Sequence, residues 1–408
     1  MNILFLSHYY FPEGNAAATR VSALAGRWVK MGHKVTVVTC APNVPNGKVY
    51  SGYKNKYTLE DIEGVKVIRI KTFIAANKGA FKRILNFLSY MFSAFGTCLF
   101  MKKPDIIIAT SPQFFCGFCG TLLKWFRGFP FVLEIRDIWP ESISAVGAKV
   151  PGIGLKFISV LEKLMYKSAL HIVTVGEGYK QKLTKERGVP ESKISIIMNG
   201  VDSTLYYPGP KNKELLKQYN LEGKFICSYI GTIGMACGLK VVLEAAKNLK
   251  TKGKNDIVFL LIGGGATKED LENQAKAEHL DNILFLGLQP KNKIASWINT
   301  SDITLAHLIK TDLFRTVMPS KIFESAGCAK PILLGVQGFA EKFVKDNSCG
   351  LCFEPENAQD LVEKLLQLYE NKELCKTLGE NGLKNIATKY NRDSQAKKYI
   401  EILNDYVK

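Results

Sequence analysis

The chain uses one grammar twice: a short apolar strand, a glycine-containing loop, an amphipathic helix and a second apolar strand. The first copy reads "ILFLS", "AAATRVSALAGRWVKMG" and "HKVTVVTC"; the second reads "FICSYIG", "LKVVLEAAKNLKTKG" and "DIVFLLIGGG". In the first helix Val21, Leu24, Ala25, Trp28 and Val29 recur at helical spacing, and Gly32 marks its end. Each copy is the βαβ start of a doubly wound sheet, with its loop at the carboxyl end of the first strand. Two starts about 220 residues apart predict an α/β chain of two Rossmann-like domains facing a cleft. "DIIIATS", "FPFVLEIRD", "ALHIVTVGEG" and "KISIIMNG" extend the first sheet; "NILFLGL", "SDITLAHL" and "KPILLG" extend the second. Between them "NGVDSTLYYPGPKNKELLKQY" has the Gly, Pro and polar residues of a domain junction. The expected division is 1–198, 199–387, and a C-terminal helix over 388–408 packing back on the first domain.

Length agrees, since 408 residues exceed one ordinary core. With 47% hydrophobic and 23% charged residues the chain is globular and not disordered. With 23 Lys and Arg against 10 Asp and Glu, residues 1–180 carry +13 of a formal charge of +18. Such a surface suits nucleic acid, an anionic membrane or a phosphorylated substrate. Ten cysteines include the pairs Cys116/Cys119 and Cys349/Cys352, which stand far apart in apolar surroundings. They are expected to be reduced, buried thiols of an intracellular protein and not zinc ligands. "MNILFLSHYY" lacks a basic n-region and reads as a strand, not a signal peptide. From Ile84 to Met101 eighteen residues carry no charge, between Lys82-Arg83 and Lys102-Lys103. The favoured expectation is a partly exposed helix dipping into a membrane interface; a buried helix and a true span are the alternatives.

Several loops place chemistry at strand ends. In "TVMPSKIFESAGCAKPILLG" Pro319 and Ser320 look like a helix start with Ser320 as cap, and Gly327 looks like its end. Lys321 then opposes the helix dipole, as a phosphate-binding lysine would and as a merely solvated lysine also could. "HYYFPEGNAAATR" puts Gly14 and Asn15 ahead of a helix, for an anion or for an ordinary turn. "EIRDIWPES" ends a strand with Arg136, Asp137 and Glu141; Asp137 could orient or deprotonate an acceptor hydroxyl, or Arg136 could form a structural ion pair. "LIGGG" allows close approach of a flat ligand or phosphate, unless it is only a flexible turn. His8 and His307 are better read as satisfied structural histidines than as site residues. Neither glycine loop has the G-x-G-x-x-G spacing and Cys40 closes the second strand, so a nicotinamide dehydrogenase is not expected. No Asp-x-Asp, Walker loop or nucleophile elbow occurs, and no motif requires a metal or cofactor.

Taken in order, "YYFPEGNAAATRVSALAGRWVKMGHKVTVVT", "EIRDIWPES", "NGVD", "GTIGMACGLKVVLEAA", "LIGGG" and "PSKIFESAGCAKPILL" resemble glycosyltransferase family 4 over nearly the whole chain. These are retaining enzymes of the GT-B fold, and the resemblance is to the branch with L-N-acetylfucosamine and other N-acetyl-amino-sugar transferases of O-antigen and capsule assembly. It implies that Lys321 holds the donor diphosphate and Glu324 the nucleotide ribose. Glu324 matches the second glutamate of the family's E-x7-E motif, while Thr316 stands at the first. The family's loop Arg and Lys fall here on Thr232 and Cys237, leaving more of the charge to Lys321, with Arg315 in support. Asp137 stands where the family has a histidine near the acceptor.

The implied donor side is Gly14, Asn15, Thr232, Gly234, Gly263, Gly264, Arg315, Thr316, Ser320, Lys321 and Glu324. The acceptor side is Glu13, Arg136, Asp137 and Glu141, with Asp137, Lys321 and Glu324 as catalytic residues and no metal. The implied activity moves a sugar, N-acetylated amino or deoxyamino, from a UDP-sugar to a polyprenyl-diphosphate-linked glycan. The expected location is the cytoplasmic face of the plasma membrane, attached peripherally to its anionic surface. Rival readings are a sugar-nucleotide epimerase of GT-B fold and a non-catalytic membrane scaffold. A nucleic-acid partner is not expected, because no aromatic platforms interleave with the basic residues.

Overall fold

The computed structural model describes residues 1–44, 47–75, 80–139 and 152–407. The chain divides into two compact units, Met1–Met198 with Asp393–Lys408, and Asn199–Arg392. The second unit therefore runs past 387. Hydrogen bonds from Val201 N–H to Tyr390 O and from Arg392 N–H to Val201 O hold that return segment in the second unit. Beyond it, Gln395 accepts from Met198 N–H and Ala396 O from the Trp28 indole, both in the first unit.

In the first unit the chain runs β1 (Asn2–Leu6), α1 (Ala16–Lys30), β2 (Lys34–Cys40), β3 (Thr58–Ile62), β4 (Val65–Ile70), α2 (Ala80–Leu99), β5 (Ile106–Thr110), α3 (Phe114–Arg127), β6 (Phe131–Ile135), α4 (Gly152–Ser168), β7 (His171–Thr174), α5 (Glu177–Arg187) and β8 (Ile194–Ile196). The sheet order is β3-β4-β2-β1-β5-β6-β7-β8, parallel except for the β3–β4 hairpin. The central strands are buried along almost their whole length and mostly apolar, because helices cover both faces. One face packs under α2, α3 and α4 through Tyr90, Phe118 and Met165; the other packs under α1 through Val21, Leu24 and Trp28. Gly120 is required in α3, since a Cβ there would lie 2.3 Å from the buried ring of Phe131. The helix that contains the uncharged segment is buried on one side and exposed on the other, so the fully buried alternative does not hold. No helix among the described residues is long and apolar enough to cross a membrane.

A buried ion pair locks the first unit. Arg20 on α1 donates from Nε and Nη2 to Glu134 on β6 at 3.1 and 2.9 Å. It also donates to the carbonyls of Ile197 and Met198, where the chain leaves the unit. Thr110 supplies a further hydrogen bond to Glu134.

In the second unit follow α6 (Lys213–Gln218), β9 (Phe225–Ile230), α7 (Lys240–Thr251), β10 (Ile257–Ile262), α8 (Lys268–Ala277), β11 (Ile283–Gly287), α9 (Lys291–Thr300), β12 (Ile303–His307), α10 (Lys321–Gly327), β13 (Ile332–Gly335), α11 (Phe339–Asp346), β14 (Gly350–Cys352), α12 (Ala358–Glu370) and α13 (Lys372–Gly382). Their sheet is wholly parallel in the order β11-β10-β9-β12-β13-β14. The order reverses direction beside β9, the switch point at which doubly wound sheets open a ligand site. A last helix, α14 (Arg392–Asn404), packs Tyr399 and Leu403 into the core of the first unit. All ten cysteines are free thiols; Cys116, Cys119 and Cys349 are buried and Cys352 half-buried.

Candidate functional site

In the second unit the site grows from the loop after β9 and the short helix α10. Lys321 opens α10, and its Nζ reaches back to donate to Ile230 O at 3.0 Å, 4.4 Å from the centre of the Tyr229 ring. A Cβ on Gly231, which has φ +145°, would lie 2.2 Å from that Nζ, so the glycine makes room for the amine. Burial lowers the Lys321 pKa, while the neighbouring Cys237 and Glu324 resist the shift.

Ser320 does not cap this helix. It already has helical angles, φ −62° and ψ −26°, and capping by a side chain needs an extended backbone there. A helix of only seven residues has little dipole to offer, so the Lys321 amine is the principal charge at this place.

One turn along α10, the Glu324 carboxylate accepts no hydrogen bond among the described residues. Burial raises its pKa, and Lys321, Arg392 and Lys291 pull it back. Lys291 and Arg392 were not singled out from the sequence. They come from the start of α9 and from the returning chain, and no local motif marks either. Arg392 also pairs with Asp202 of "NGVD" at 3.6 Å.

The glycine loops serve the protein's own backbone. A Cβ on Gly263 would stand 1.8 Å from Gly231 O, and one on Gly265 would stand 2.2 Å from Ile233 O. Both have positive φ, +147° and +158°, and both let the β9 loop lie against the β10 loop. Gly264 faces Leu288, and Gly234 precedes a short 3-10 turn over Met235–Cys237. Thr232 is exposed, while its carbonyl accepts from Tyr229 O–H and Cys237 Sγ. Thr316 is turned into its own loop, donating to Leu313 O at 2.7 Å, and the Arg315 guanidinium is exposed beside Asp312. His307 has both ring nitrogens committed, Nδ1 donating to Cys237 O at 2.7 Å and Nε2 accepting from Glu356 N–H at 2.9 Å.

The first unit gathers the other residues at the carboxyl ends of β1, β5 and β6. Asn15 caps α1 by accepting from Ala18 N–H, and Gly14 leaves open space where a Cβ would sit. Glu13 is buried and accepts from the Asn43 and Val44 N–H groups, so it holds the loop after β2. His8 is enclosed by Tyr9, Phe87 and Tyr90, and burial pushes its pKa down to about 3.

Among the described residues Arg136 makes one side-chain hydrogen bond, from Nη2 to Ala16 O, and its buried Nε and Nη1 have no partner there. Burial lowers its pKa to about 10. The structural ion pair open to Arg136 is not seen among the described residues, where the nearby Glu134 is held by Arg20. Burial raises Asp137 to about 6, against the pull of Arg136. Tyr179, at the start of α5, lies close enough to feel both charges. Glu141 lies outside the described residues. No group of three or more His, Cys, Asp or Glu residues converges among the described residues.

Two family profiles match the chain. The one described as Glycosyltransferase Family 4 covers residues 17–205, and the one described as Glycosyl transferases group 1 covers residues 211–385. A protein of Escherichia coli K12 named as a colanic acid biosynthesis glycosyl transferase is 26% identical over 381 residues, 90% of this chain and 92% of its own. The N,N'-diacetylbacillosaminyl-diphospho-undecaprenol alpha-1,3-N-acetylgalactosaminyltransferase of Campylobacter jejuni is 25% identical over 256 residues, 62% of this chain and 64% of its own. Among solved structures, an Anabaena protein in complex with UDP-glucose superposes with a TM-score of 0.74 at 15% identity, covering 99% of this chain and 100% of that one. At such identity the likeness carries the GT-B fold alone.

Proposed function

The chain belongs to glycosyltransferase family 4, and on that premise we propose that it transfers a sugar from a UDP-sugar to a lipid-linked glycan with retention of anomeric configuration. One observation carries the proposal: an amine seated against Gly231 at the end of the first strand of a sheet, with a buried carboxylate one helical turn away that three cations surround and that accepts no hydrogen bond among the described residues. The Lys321 ammonium is suited to the negative charge that builds on the departing diphosphate as the bond from sugar to phosphate breaks. The Glu324 carboxylate, which accepts no hydrogen bond among the described residues, is suited to accept from two ribose hydroxyls. With a lysine in that role and no Asp-x-Asp in the sequence, the reaction is expected to need no metal.

The first unit takes the acceptor. Asp137 receives the proton of the attacking hydroxyl, and the Nε and Nη1 of Arg136, without a partner among the described residues, suit an anionic group on the acceptor. Relatives named for colanic acid and for a diphospho-undecaprenol-linked substrate favour a polyprenyl-diphosphate glycan of bacterial surface polysaccharide. The name of the second relative also favours an N-acetylated amino sugar as the group transferred.

The test is calorimetric titration with UDP in the presence of EDTA. Binding that is unchanged by the chelator is expected. No binding, or binding only after a divalent cation is restored, would overturn the donor-site assignment.

Asp137 makes a separate prediction. Its carboxyl, raised to about 6, must be ionised to accept a proton. Activity is therefore expected to fall as pH drops below about 6. Asp137→Asn should lower kcat about 10²-fold and flatten that acidic limb. A wild-type limb that persists in the variant would assign it to another group.

A further inference from the structure

We propose that the outer face of α2 and α3 is a docking surface for an anionic lipid bilayer, on which α2 lies along the membrane interface. The inference rests on the lipid-linked acceptor above and names the surface that reaches it. On α2, Tyr90, Met91, Ala94 and Cys98 face the core, while Leu85 and Phe92 face outward, as does Phe100 just past its end. On α3, Trp125 and Phe126 face outward beside them. The Phe95 and Phe126 rings meet edge to face at 5.6 Å, and Arg127 donates to Met101 O, so the two helices present one continuous patch. Its members are far from buried: Phe100 is 86% exposed, Phe126 68%, Phe92 63% and Trp125 51%. A contiguous apolar patch of this kind marks an interaction surface.

Charge selects the occupant. Neither helix contains an Asp or Glu, and the patch is rimmed by Lys82, Arg83, Lys102, Lys103, Lys124 and Arg127. None of these six cations forms an ion pair among the described residues. A second copy of the chain would set this positive rim against itself. An anionic bilayer accepts all of it: aromatic rings sit at headgroup depth, lysine and arginine stems reach outward to phosphates, and each cation near the surface adds roughly fivefold in affinity. Since no described helix can span, the contact is peripheral.

The test uses the full chain with vesicles of phosphatidylcholine alone and of phosphatidylcholine mixed with phosphatidylglycerol. Binding only to the mixed vesicles, weakened by salt, is expected. Brominated lipid should quench tryptophan fluorescence in wild type and much less in Trp125→Phe, because Trp28 and Trp297 are buried and Trp139 is half-buried. The combined Phe92→Ser, Trp125→Ser and Phe126→Ser variant should lose at least tenfold in vesicle affinity while binding UDP as before. Wild type that ignores both vesicles overturns the proposal, and so does a triple variant that binds like wild type. A wild-type dimer that the triple variant dissolves would assign the patch to a second copy instead. UDP binding without vesicle binding sinks the docking surface alone; vesicle binding without UDP binding sinks the donor site alone.

Discussion

Lys321→Met is expected to lower kcat by about 10²–10³ and to weaken UDP binding in the same titration, with little change in the apo fold. The estimate follows from removing one preorganised charge aimed at a developing anion. Methionine keeps the length of the stem against Tyr229 and fits beside Gly231, so lost activity reports lost charge. The pH behaviour separates this from simple damage. Burial lowers the Lys321 pKa below the ordinary 10.5, so the unfolded chain holds this proton more tightly than the folded one. Between the lowered value and 10.5, the ligand-free protein should gain stability as pH rises, because its buried amine is neutral there. UDP affinity should fall over the same window, because the diphosphate needs the charged amine. Thermal melts with and without UDP across that range should show opposite slopes in wild type and neither trend in the variant. Full activity in Lys321→Met would remove the lysine from the mechanism.

The second large effect is on stability. Arg20→Met leaves Glu134 buried without its counter-charge, which costs about 3–5 kcal/mol. For a unit of this size that corresponds to a drop of roughly 6–20 °C in Tm. Burial alone would raise the Glu134 carboxyl; the Arg20 guanidinium overcomes it and holds the value below the ordinary 4.5. A carboxyl lowered in the folded state contributes stability above its unfolded value and loses it as pH falls through the lowered one. The gap between wild type and Arg20→Met should thus be full at neutral pH and narrow below about 4.5. Removing both charges in Arg20→Met with Glu134→Leu should cost less than Arg20→Met alone, because no buried charge is then left unpaired. The Ile197 and Met198 carbonyls would still lose their donor, so recovery should be incomplete. Chemical denaturation of the three proteins at two pH values decides the matter. Equal stability of all three would show that the pair contributes nothing.

The loops divide between what the chain declares locally and what it does not. "LIGGG" reads as a place of close approach, and close approach is what Gly263 and Gly265 permit. The partner is the carbonyl of Gly231 or Ile233, which no neighbouring residue announces. Ser320 has the chemistry of a cap but not the backbone for it. His8 and His307 stand at strand ends like site residues. Burial keeps His8 neutral, and two backbone partners occupy His307. The uncharged stretch after Arg83 shows a half-buried helix in its own composition. Trp125 and Phe126 lie in a different helix and join the same patch only through packing.

The sequence by itself determined the two α/β halves, most of the strand and helix order within each though not the β3–β4 hairpin or β14, the placing of Lys321 and Glu324 one turn apart on a single helix, and the positive first half. All of these are periodic, local or additive properties, legible over a few residues at a time. Only the tertiary structure decided that Lys291 and Arg392 converge on Glu324, that Arg20 forms the salt bridge with Glu134, and that two buried donors of Arg136 have no partner among the described residues. Those outcomes depend on which strand ends become neighbours in the sheet. That adjacency is a long-range consequence of burying every apolar strand at once, and it leaves no mark on the residues beside it.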